Sequence, residues 1–262
     1  MEALFEVRED PREISSNTSL TVVGVELRFG GIKALDGVSF DVEAGCWCAL
    51  VGPNGSGKTS LVNVITGFYR PQAGEVMYRG IELTGRRRRG QRRPVIRTFQ
   101  HPVLSGRLSL LDNVLLGAGR RDPSGKRLSF KEDGTRRDAA SALLSQLDCG
   151  DYVDICADEA PYGVRKRAEI ARALLGQPEV LLFDEPAAGL SSDERANVVD
   201  ALRLVREKIP SVSAIVIEHD VQFVSQLCEK AVALDFGQVI AVGAMAEVLA
   251  KPKVRAAFLG EA

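Results

Sequence analysis

The sequence predicts an α/β fold with a mixed β-sheet core, an antiparallel β edge and an inserted α-helical subdomain. Three apolar runs, at residues 46–51, 180–183 and 214–217, have the length and composition of buried strands. A glycine-rich loop at residues 52–59 lies between the first run and the helical pattern that follows it. Strand signals are missing between residues 109 and 160, where apolar side chains recur at helical spacing.

The domain boundaries follow from these signals. Residues 1–18 are polar and read as a flexible N-terminal tail, and residues 19–262 form the folded domain. We expect residues 19–101 and 159–262 to form its core, and residues 102–158 to form the helical subdomain.

The smaller elements have local signals of their own. Residues 20–26 and 38–42 read as two strands of the antiparallel edge. Ser191 and Glu194 have the spacing of a capping box at the start of a helix. A turn at Gly237 predicts a closing hairpin near the end of the chain.

The composition is that of a protein with a substantial core. The chain has 262 residues, 45% of them hydrophobic, and a net charge of -1, which predicts no particular partner. No apolar run approaches the roughly 20 residues that a membrane-spanning helix needs. Residues 1–17 are too charged for a secretory signal, so we expect a cytoplasmic protein.

The five cysteines lack the paired spacing of a zinc site. We therefore expect them to be reduced structural residues and not metal ligands. They are Cys46, Cys48, Cys149, Cys156 and Cys228.

The glycine-rich loop has the pattern G-x-x-x-x-G-K-[ST], which binds phosphates through backbone N–H groups. Its lysine, Lys58, reaches the outer phosphate oxygens, and the hydroxyl of Thr59 is suited to Mg²⁺. The helix that follows adds the positive end of its dipole. The predicted nucleotide-binding residues here are Gly52, Pro53, Asn54, Gly55, Ser56, Gly57, Lys58, Thr59 and Ser60.

Two acidic residues, Asp184 and Glu185, follow the second apolar run. The carboxyl ends of parallel strands are where open α/β sheets bind ligands. We therefore expect Asp184 to bind Mg²⁺, directly or through water, together with Thr59. Glu185 would point at a water molecule near the terminal phosphate.

A histidine follows the third apolar run. His219 lies between Glu218 and Asp220, at the same expected edge of the sheet. Lone histidines are often structural, but this position favours a functional role.

Phe29 lies beside the predicted turn at residues 30–31. Its ring has two possible uses: packing against the protein, or presenting a face to a flat base. The residues alone leave both open.

A basic run occupies residues 86–89 and continues with Arg92 and Arg93. A solvated face is the first interpretation, and contact with anionic lipid headgroups or an acidic partner is the second. Nucleic acid is disfavoured because no aromatic residues are interleaved to stack on bases.

Together these motifs resemble the ATP-binding subunits of ABC transporters, over nearly the whole chain. The resemblance implies that residues 52–59 are the Walker A loop, residues 180–184 the Walker B strand and Glu185 the catalytic glutamate. It also implies that Gln100 is the Q-loop glutamine and a ligand of Mg²⁺. His219 would be the switch histidine, which contacts the terminal phosphate.

The same resemblance implies that the cofactors are ATP and Mg²⁺, that Lys58 takes part in catalysis and that Phe29 stacks on adenine. Five short stretches of sequence resemble those of the branched-chain amino acid uptake group, although urea or amide importers share much of this sequence. The stretches concerned are T-G-F-Y at 66–69, R-T-F-Q at 97–100, D-E-P-A-A-G-L at 184–190, I-E-H-D at 217–220 and F-L-G-E-A at 258–262.

The partners that the resemblance implies are transmembrane permease subunits and a second ATP-binding subunit, in a homo- or heterodimer. An extracytoplasmic solute-binding protein would act indirectly, and the chain would lie at the cytoplasmic face of the membrane. No nucleic acid is expected. The rivals are a lipid-export ATPase subunit, a non-transport ABC ATPase and a module that binds ATP but barely hydrolyses it.

One motif departs from the family pattern. Where most members have Leu-Ser-Gly-Gly-Gln, this chain has A-P-Y-G-V at residues 160–164. Tyr162 and Gly163 remain the expected nucleotide contacts, but Pro161 lacks a backbone N–H. Ser191 stands where many relatives have an aspartate. We therefore expect a heterodimer in which the partner carries a better signature.

Overall fold

The computed structural model describes residues 18–84, 94–118 and 134–259. The predicted tail before residue 18, the basic run at residues 86–93 and residues 119–133 lie outside these ranges. The chain divides into two compact units. The first comprises Met1–Arg89 and Pro210–Ala262, and the second comprises Gly90–Ile209.

Ten strands and eight α-helices lie in the described part of the chain. The strands are β1 (Thr18–Phe29), β2 (Ile32–Glu43), β3 (Trp47–Val51), β4 (Ala73–Tyr78), β5 (Ile81–Glu82), β6 (Val95–Thr98), β7 (Val180–Asp184), β8 (Ser213–Ile217), β9 (Lys230–Asp235) and β10 (Gln238–Ala244). The helices are α1 (Lys58–Ile65), α2 (Leu110–Leu115), α3 (Gly134–Gln146), α4 (Tyr162–Leu175), α5 (Ser192–Lys208), α6 (Val221–Ser225), α7 (Met245–Ala250) and α8 (Pro252–Leu259).

The first unit contains the predicted antiparallel edge. Its strand order is β2-β1-β4-β5, and β1 is longer than the sequence indicated because it extends to the turn after Phe29. The first five residues of β1, Thr18 to Val22, are all buried, and burial alternates only further along, at Val25 and Leu27. Gly74 has φ +77°, and a Cβ on it would lie 2.3 Å from Gly24.

Parallel pairing in the same unit positions two of the predicted site segments. The strand order here is β10-β9-β3-β8, and β3 is parallel to both β8 and β9. Leu50 is opposite Ile217, so β3 and β8 end at the same edge. The glycine loop follows β3 and His219 follows β8, as the sequence predicts. All five residues of β3 are buried.

In the second unit, β6 and β7 pair in parallel, with Arg97 opposite Leu182 and Thr98 opposite Phe183. Helix α4 packs against α2 and α3 and carries a buried face of mixed polarity. The capping box of α5 is confirmed, since Ser191 and Glu194 exchange the two expected hydrogen bonds.

Two short helices, α6 and α8, were missed by the sequence patterns. Helix α6 has five residues, and its start is fixed by Asp220 Oδ1, which accepts hydrogen bonds from the N–H groups of Gln222 and Phe223 at 2.9 and 3.2 Å. The predicted helical subdomain lies inside the second unit, which also holds β6, β7 and α5, and its boundaries stay a prediction. None of the described helices is long and apolar enough to cross a membrane.

Candidate functional site

The glycine loop closely approaches the strands around it. A Cβ on Gly52 would lie 2.2 Å from Leu234 O, and a Cβ on Gly57 would lie 2.6 Å from Ala34 O. Gly57 also has φ +104°, which side chains disfavour. Only glycine fits at these two positions, so the loop pattern is a packing requirement as well as a ligand signature.

A closing hairpin also fixes the loop. The N–H of Gly237, in the β9–β10 turn, donates to Ser56 O at 2.9 Å. The carbonyl of Gly237 accepts the N–H of Asp36, in β2, at 2.8 Å. The turn therefore links the phosphate loop to the antiparallel sheet.

The loop has free capacity for an anionic ligand. Ser56 is buried, and its Oγ has no hydrogen-bond partner among the described residues. Helix α1 starts at Lys58 without a side-chain cap, and the N-terminus of a helix favours a bound phosphate. Lys58 Nζ donates to Gly52 O at 2.7 Å and Pro53 O at 2.8 Å, which holds the ammonium over the loop. These features fit a bound phosphate chain.

Phe29 forms an aromatic pair at the end of β1. Its ring lies 5.2 Å from that of Tyr69, with the planes at 74°. Phe29 remains 46% exposed. The ring thus packs edge-to-face and is still partly exposed to solvent, and stacking on a base stays a prediction.

His219 is held between β8 and α6 with its side chain 63% exposed. Its Nδ1 lies 3.6 Å from Glu218 Oε2, and Glu218 is buried. Because Asp220 caps α6, the backbone on both sides of the histidine is fixed. The backbone that carries the imidazole is therefore fixed, and the ring is accessible to solvent.

In the second unit, Asp184 forms an ion pair with Arg97 that the sequence analysis did not foresee. Arg97 is opposite Leu182 in the β6–β7 ladder, and Asp184 lies two residues further on, on the same face. Both side chains are about nine-tenths buried, at 10% and 11% exposure. The guanidinium also lies over the Phe99 ring, 4.8 Å from its centroid.

Glu185 and Gln100 are brought together. Gln100 Nε2 donates to Glu185 Oε2 at 2.6 Å. Glu185 has φ +47°, in the left-handed region that non-glycine residues rarely adopt. Such strain persists where surrounding contacts hold it, often at functional sites.

A polar network from α4 surrounds these two residues. Lys166 Nζ donates to the carbonyls of Phe99, Gln100 and Glu185. Glu169 accepts the N–H groups of Phe99 at 3.4 Å and Val103 at 3.2 Å. Burial raises the pKa of the Glu169 carboxyl, although the two N–H bonds and Arg172 oppose the shift.

This network was not predicted from the sequence. Lys166 and Glu169 are charged residues within an apolar helical pattern, at a spacing of three. That spacing puts both side chains on one side of the helix, and this charged pair was the sequence signal from which the network could have been predicted.

The residues of the altered signature also have contacts in this unit. Tyr162 Oη donates to Gln100 O at 3.2 Å, and burial raises the pKa of the phenol. Gly163 lies against the carboxylate of Glu194, since a Cβ there would be 3.0 Å from Oε1. Hydrogen bonds from Ser191 and from the Gly163 backbone lower the pKa of Glu194.

The predicted site residues thus fall into two groups. The first unit holds Phe29, the glycine loop and His219. In the second unit, Gln100 contacts both Glu185 and Tyr162. Asp184 is the last residue of β7, Glu185 follows it, and Gly163 lies in the first turn of α4.

Comparison with known proteins identifies the family to which this chain belongs. A family model described as ABC transporter matches residues 35–188. The high-affinity branched-chain amino acid transport ATP-binding protein BraF of Pseudomonas aeruginosa is 32% identical over 255 residues, covering 94% of this chain and 100% of BraF. The chain belongs to the ABC transporter family. It is an ATP-binding subunit of a transporter, and it is an ATPase.

Other ABC relatives differ in the transport that their names describe. The corresponding protein LivG of Escherichia coli K12 is 32% identical over 257 residues, covering 94% of this chain and all of LivG. The phosphonates import ATP-binding protein PhnC 1 of Rhodopseudomonas palustris is 33% identical over 230 residues, covering 87% of this chain and 85% of PhnC 1. The identities are alike, so identity does not assign the solute.

Solved ABC structures match the fold. An ATP-binding cassette of an ABC transporter in its ADP conformation has a TM-score of 0.79 and 30% identity, covering 93% of this chain and 99% of that one. A nucleotide-free cassette has a TM-score of 0.77 and 29% identity, covering 93% and 100%. The predicted fold class, an ABC ATPase with a phosphate-binding loop, is confirmed.

Proposed function

We propose that this ABC ATPase powers the uptake of branched-chain amino acids, or of related small polar solutes, through partner membrane subunits. The likeness to BraF and LivG over 94% of this chain supports the solute class. The observation that carries the hydrolytic role is the 2.6 Å hydrogen bond between Gln100 and Glu185.

Each site residue has a role in this proposal. The loop N–H groups and Lys58 bind the phosphates, and the ammonium neutralises charge that develops on the terminal phosphate. Glu185 polarises the attacking water, and Gln100 holds the Glu185 carboxylate in place. His219 contacts the terminal phosphate, and Phe29 stacks on adenine.

Thr59, Asp184 and Gln100 would hold Mg²⁺, since hydroxyl, carboxylate and amide oxygens are the ligands it accepts. When bound, Mg²⁺ neutralises phosphate charge. In this chain Asp184 is already paired with Arg97. Binding the cation therefore requires Asp184 to share or release the guanidinium.

The proposed partners are transmembrane permease subunits docked near Gln100 and a second ATP-binding subunit. Because residues 160–164 lack the usual serine and glutamine, we infer a heterodimer in which the partner carries a better signature. An extracytoplasmic solute-binding protein acts indirectly. The assembly lies at the cytoplasmic face of the membrane.

Co-purification with the membrane and ATP-binding partners tests this function. In proteoliposomes, a branched-chain amino acid with its binding protein should stimulate ATP hydrolysis. Stimulation by urea, amides or phosphonates instead would reassign the solute, and stimulation by lipid would indicate export. Failure to associate with any membrane subunit would favour a non-transport ABC ATPase. Full activity from homodimers alone would rule out the required heterodimer.

A further inference from the structure

Lys166 holds two separate segments of the second unit. The residue lies in α4 and is only 3% exposed. Its ammonium donates to Phe99 O at 3.3 Å and to Gln100 O, on the segment after β6. It also donates to Glu185 O at 3.3 Å, on the segment after β7. A buried ammonium requires such acceptors, so these contacts strongly favour one arrangement of both segments.

The Glu185 contact bears on a strained backbone. A residue with a side chain at φ +47° keeps that conformation only where its surroundings hold it. The Glu185 carbonyl accepts from Lys166 and from the N–H of Ala188, the latter at 3.1 Å. Its carboxylate accepts from Gln100. Lys166 thus contacts the backbone of Glu185 and also the backbone of Gln100, the residue that orients the Glu185 side chain.

Neighbouring residues of α4 fix the same segment from two more sides. Glu169 accepts hydrogen bonds from the N–H groups of Phe99 and Val103. The segment after β6 is therefore held by hydrogen bonds at its N–H groups as well as at the carbonyls that Lys166 contacts. Tyr162, in the first turn of α4, donates to Gln100 O. Lys166 is one helical turn after Tyr162. A movement of this end of α4 therefore acts directly on Gln100 and Glu185.

We propose that Lys166 is a positioning residue that couples the signature end of α4 to the geometry of Glu185. The inference rests on the proposed function, in which Glu185 polarises water, taken together with the expectation that residues 160–164 contact the nucleotide bound by the partner subunit. Lys166 itself touches none of the reacting atoms. When the partner's nucleotide engages the signature, Lys166 transmits that event to the water-polarising carboxylate of its own subunit.

Two variants of the full chain test this coupling, in the assembly in which the wild type hydrolyses ATP. Lys166→Met keeps the length of the side chain and removes the ammonium, whereas Lys166→Arg keeps the charge. Lys208→Met is the matched control, since Lys208 is exposed at the end of α5. We expect Lys166→Met to lower kcat at least tenfold with KM for ATP within twofold of wild type. Lys166→Arg should restore most of kcat.

Amide hydrogen exchange provides a second readout. In Lys166→Met, exchange at residues 185–190 and 99–103 should accelerate, while exchange in β3 stays unchanged. Equal kcat and equal exchange in Lys166→Met and Lys208→Met would overturn the proposal. If Lys166→Met does not fold, Lys166→Gln takes its place. Wild-type kcat in Lys166→Gln would then overturn the proposal as well.

The Glu185→Gln variant separates this inference from the function on which it rests. Normal turnover in Glu185→Gln would remove the proposed role of Glu185. Loss of turnover there, with normal turnover in Lys166→Met, would leave that role intact and refute the coupling alone.

Discussion

Gln100 donates a hydrogen bond from Nε2 to Oε2 of Glu185 at 2.6 Å, and this contact joins the segment after β6 to the segment after β7. The bond restricts the carboxylate while its second oxygen remains to act on water. A residue placed in this way orients the proposed base.

The first prediction concerns this pair. Glu185→Gln should abolish steady-state ATP hydrolysis, because an amide does not accept a proton from water, and ATP should then accumulate in a stable dimer. Gln100→Ala should lower kcat by about 10²-fold at most, the lower range for one general acid–base contribution. Phosphate release and size-exclusion chromatography with ATP measure the two effects. Unchanged turnover in Glu185→Gln would remove that residue from its role.

The second prediction concerns Arg97. Arg97→Met leaves the buried carboxylate of Asp184 without its guanidinium, which typically costs about 3–5 kcal/mol in a buried pair. Divalent cation with ADP should recover part of this loss, since the cation replaces the missing charge. Thermal unfolding with and without Mg²⁺-ADP measures both effects. The control is Arg203→Met, whose pair with Asp200 is exposed and contributes little. Equal stability of the two variants would contradict the prediction.

The third prediction concerns adenine. Phe29→Ala should weaken ADP binding roughly tenfold, because base–aromatic stacking contributes about 1–3 kcal/mol. Tyr69→Ala should have a smaller effect, since Tyr69 packs edge-to-face against the Phe29 ring. Calorimetry with ADP and with tripolyphosphate measures both. Affinity for tripolyphosphate should stay unchanged, as should ADP binding by Ile32→Ala, an exposed control in β2.

The fourth prediction concerns the pH dependence of stability. Hydrogen bonds from Ser191 lower the pKa of Glu194 in the folded protein, so the ionised form contributes to stability. That contribution is fully present above the pKa of an unfolded glutamate, about 4.3, and is lost as pH falls through the lower folded-state pKa. Glu194→Gln should therefore be less stable than wild type at pH 7, with the difference shrinking in acid. Urea midpoints across this range measure it. Glu207→Gln, an exposed change in α5, should show no such trend.

Much of the site follows from local patterns. The loop at residues 52–59, the acids after β7 and the histidine after β8 were all predicted, because strand ends and glycine spacing are properties of short segments. The parallel pairing of β3 and β8 then brings Gly52 and His219 to the same edge.

The remaining features depend on pairing that no short segment contains. Arg97 meets Asp184 because the β6–β7 register places Arg97 opposite Leu182, and a shift of one residue would turn it to the other face. Lys166 finds its acceptors on two segments far from it in the sequence. From the sequence alone, charged residues in a helical pattern are expected to face solvent. Only the packing of α4 shows that Lys166 is buried.

The closing hairpin adds a constraint on biosynthesis. Gly237 supplies the N–H that holds Ser56 O, and Leu234 O lies where a side chain at Gly52 would be. During translation, β3 and the loop leave the ribosome long before β9 and β10. A nascent chain therefore carries the phosphate-binding loop before the β9–β10 hairpin that packs against it has been synthesised. Tight nucleotide binding is expected to begin only once this hairpin has formed.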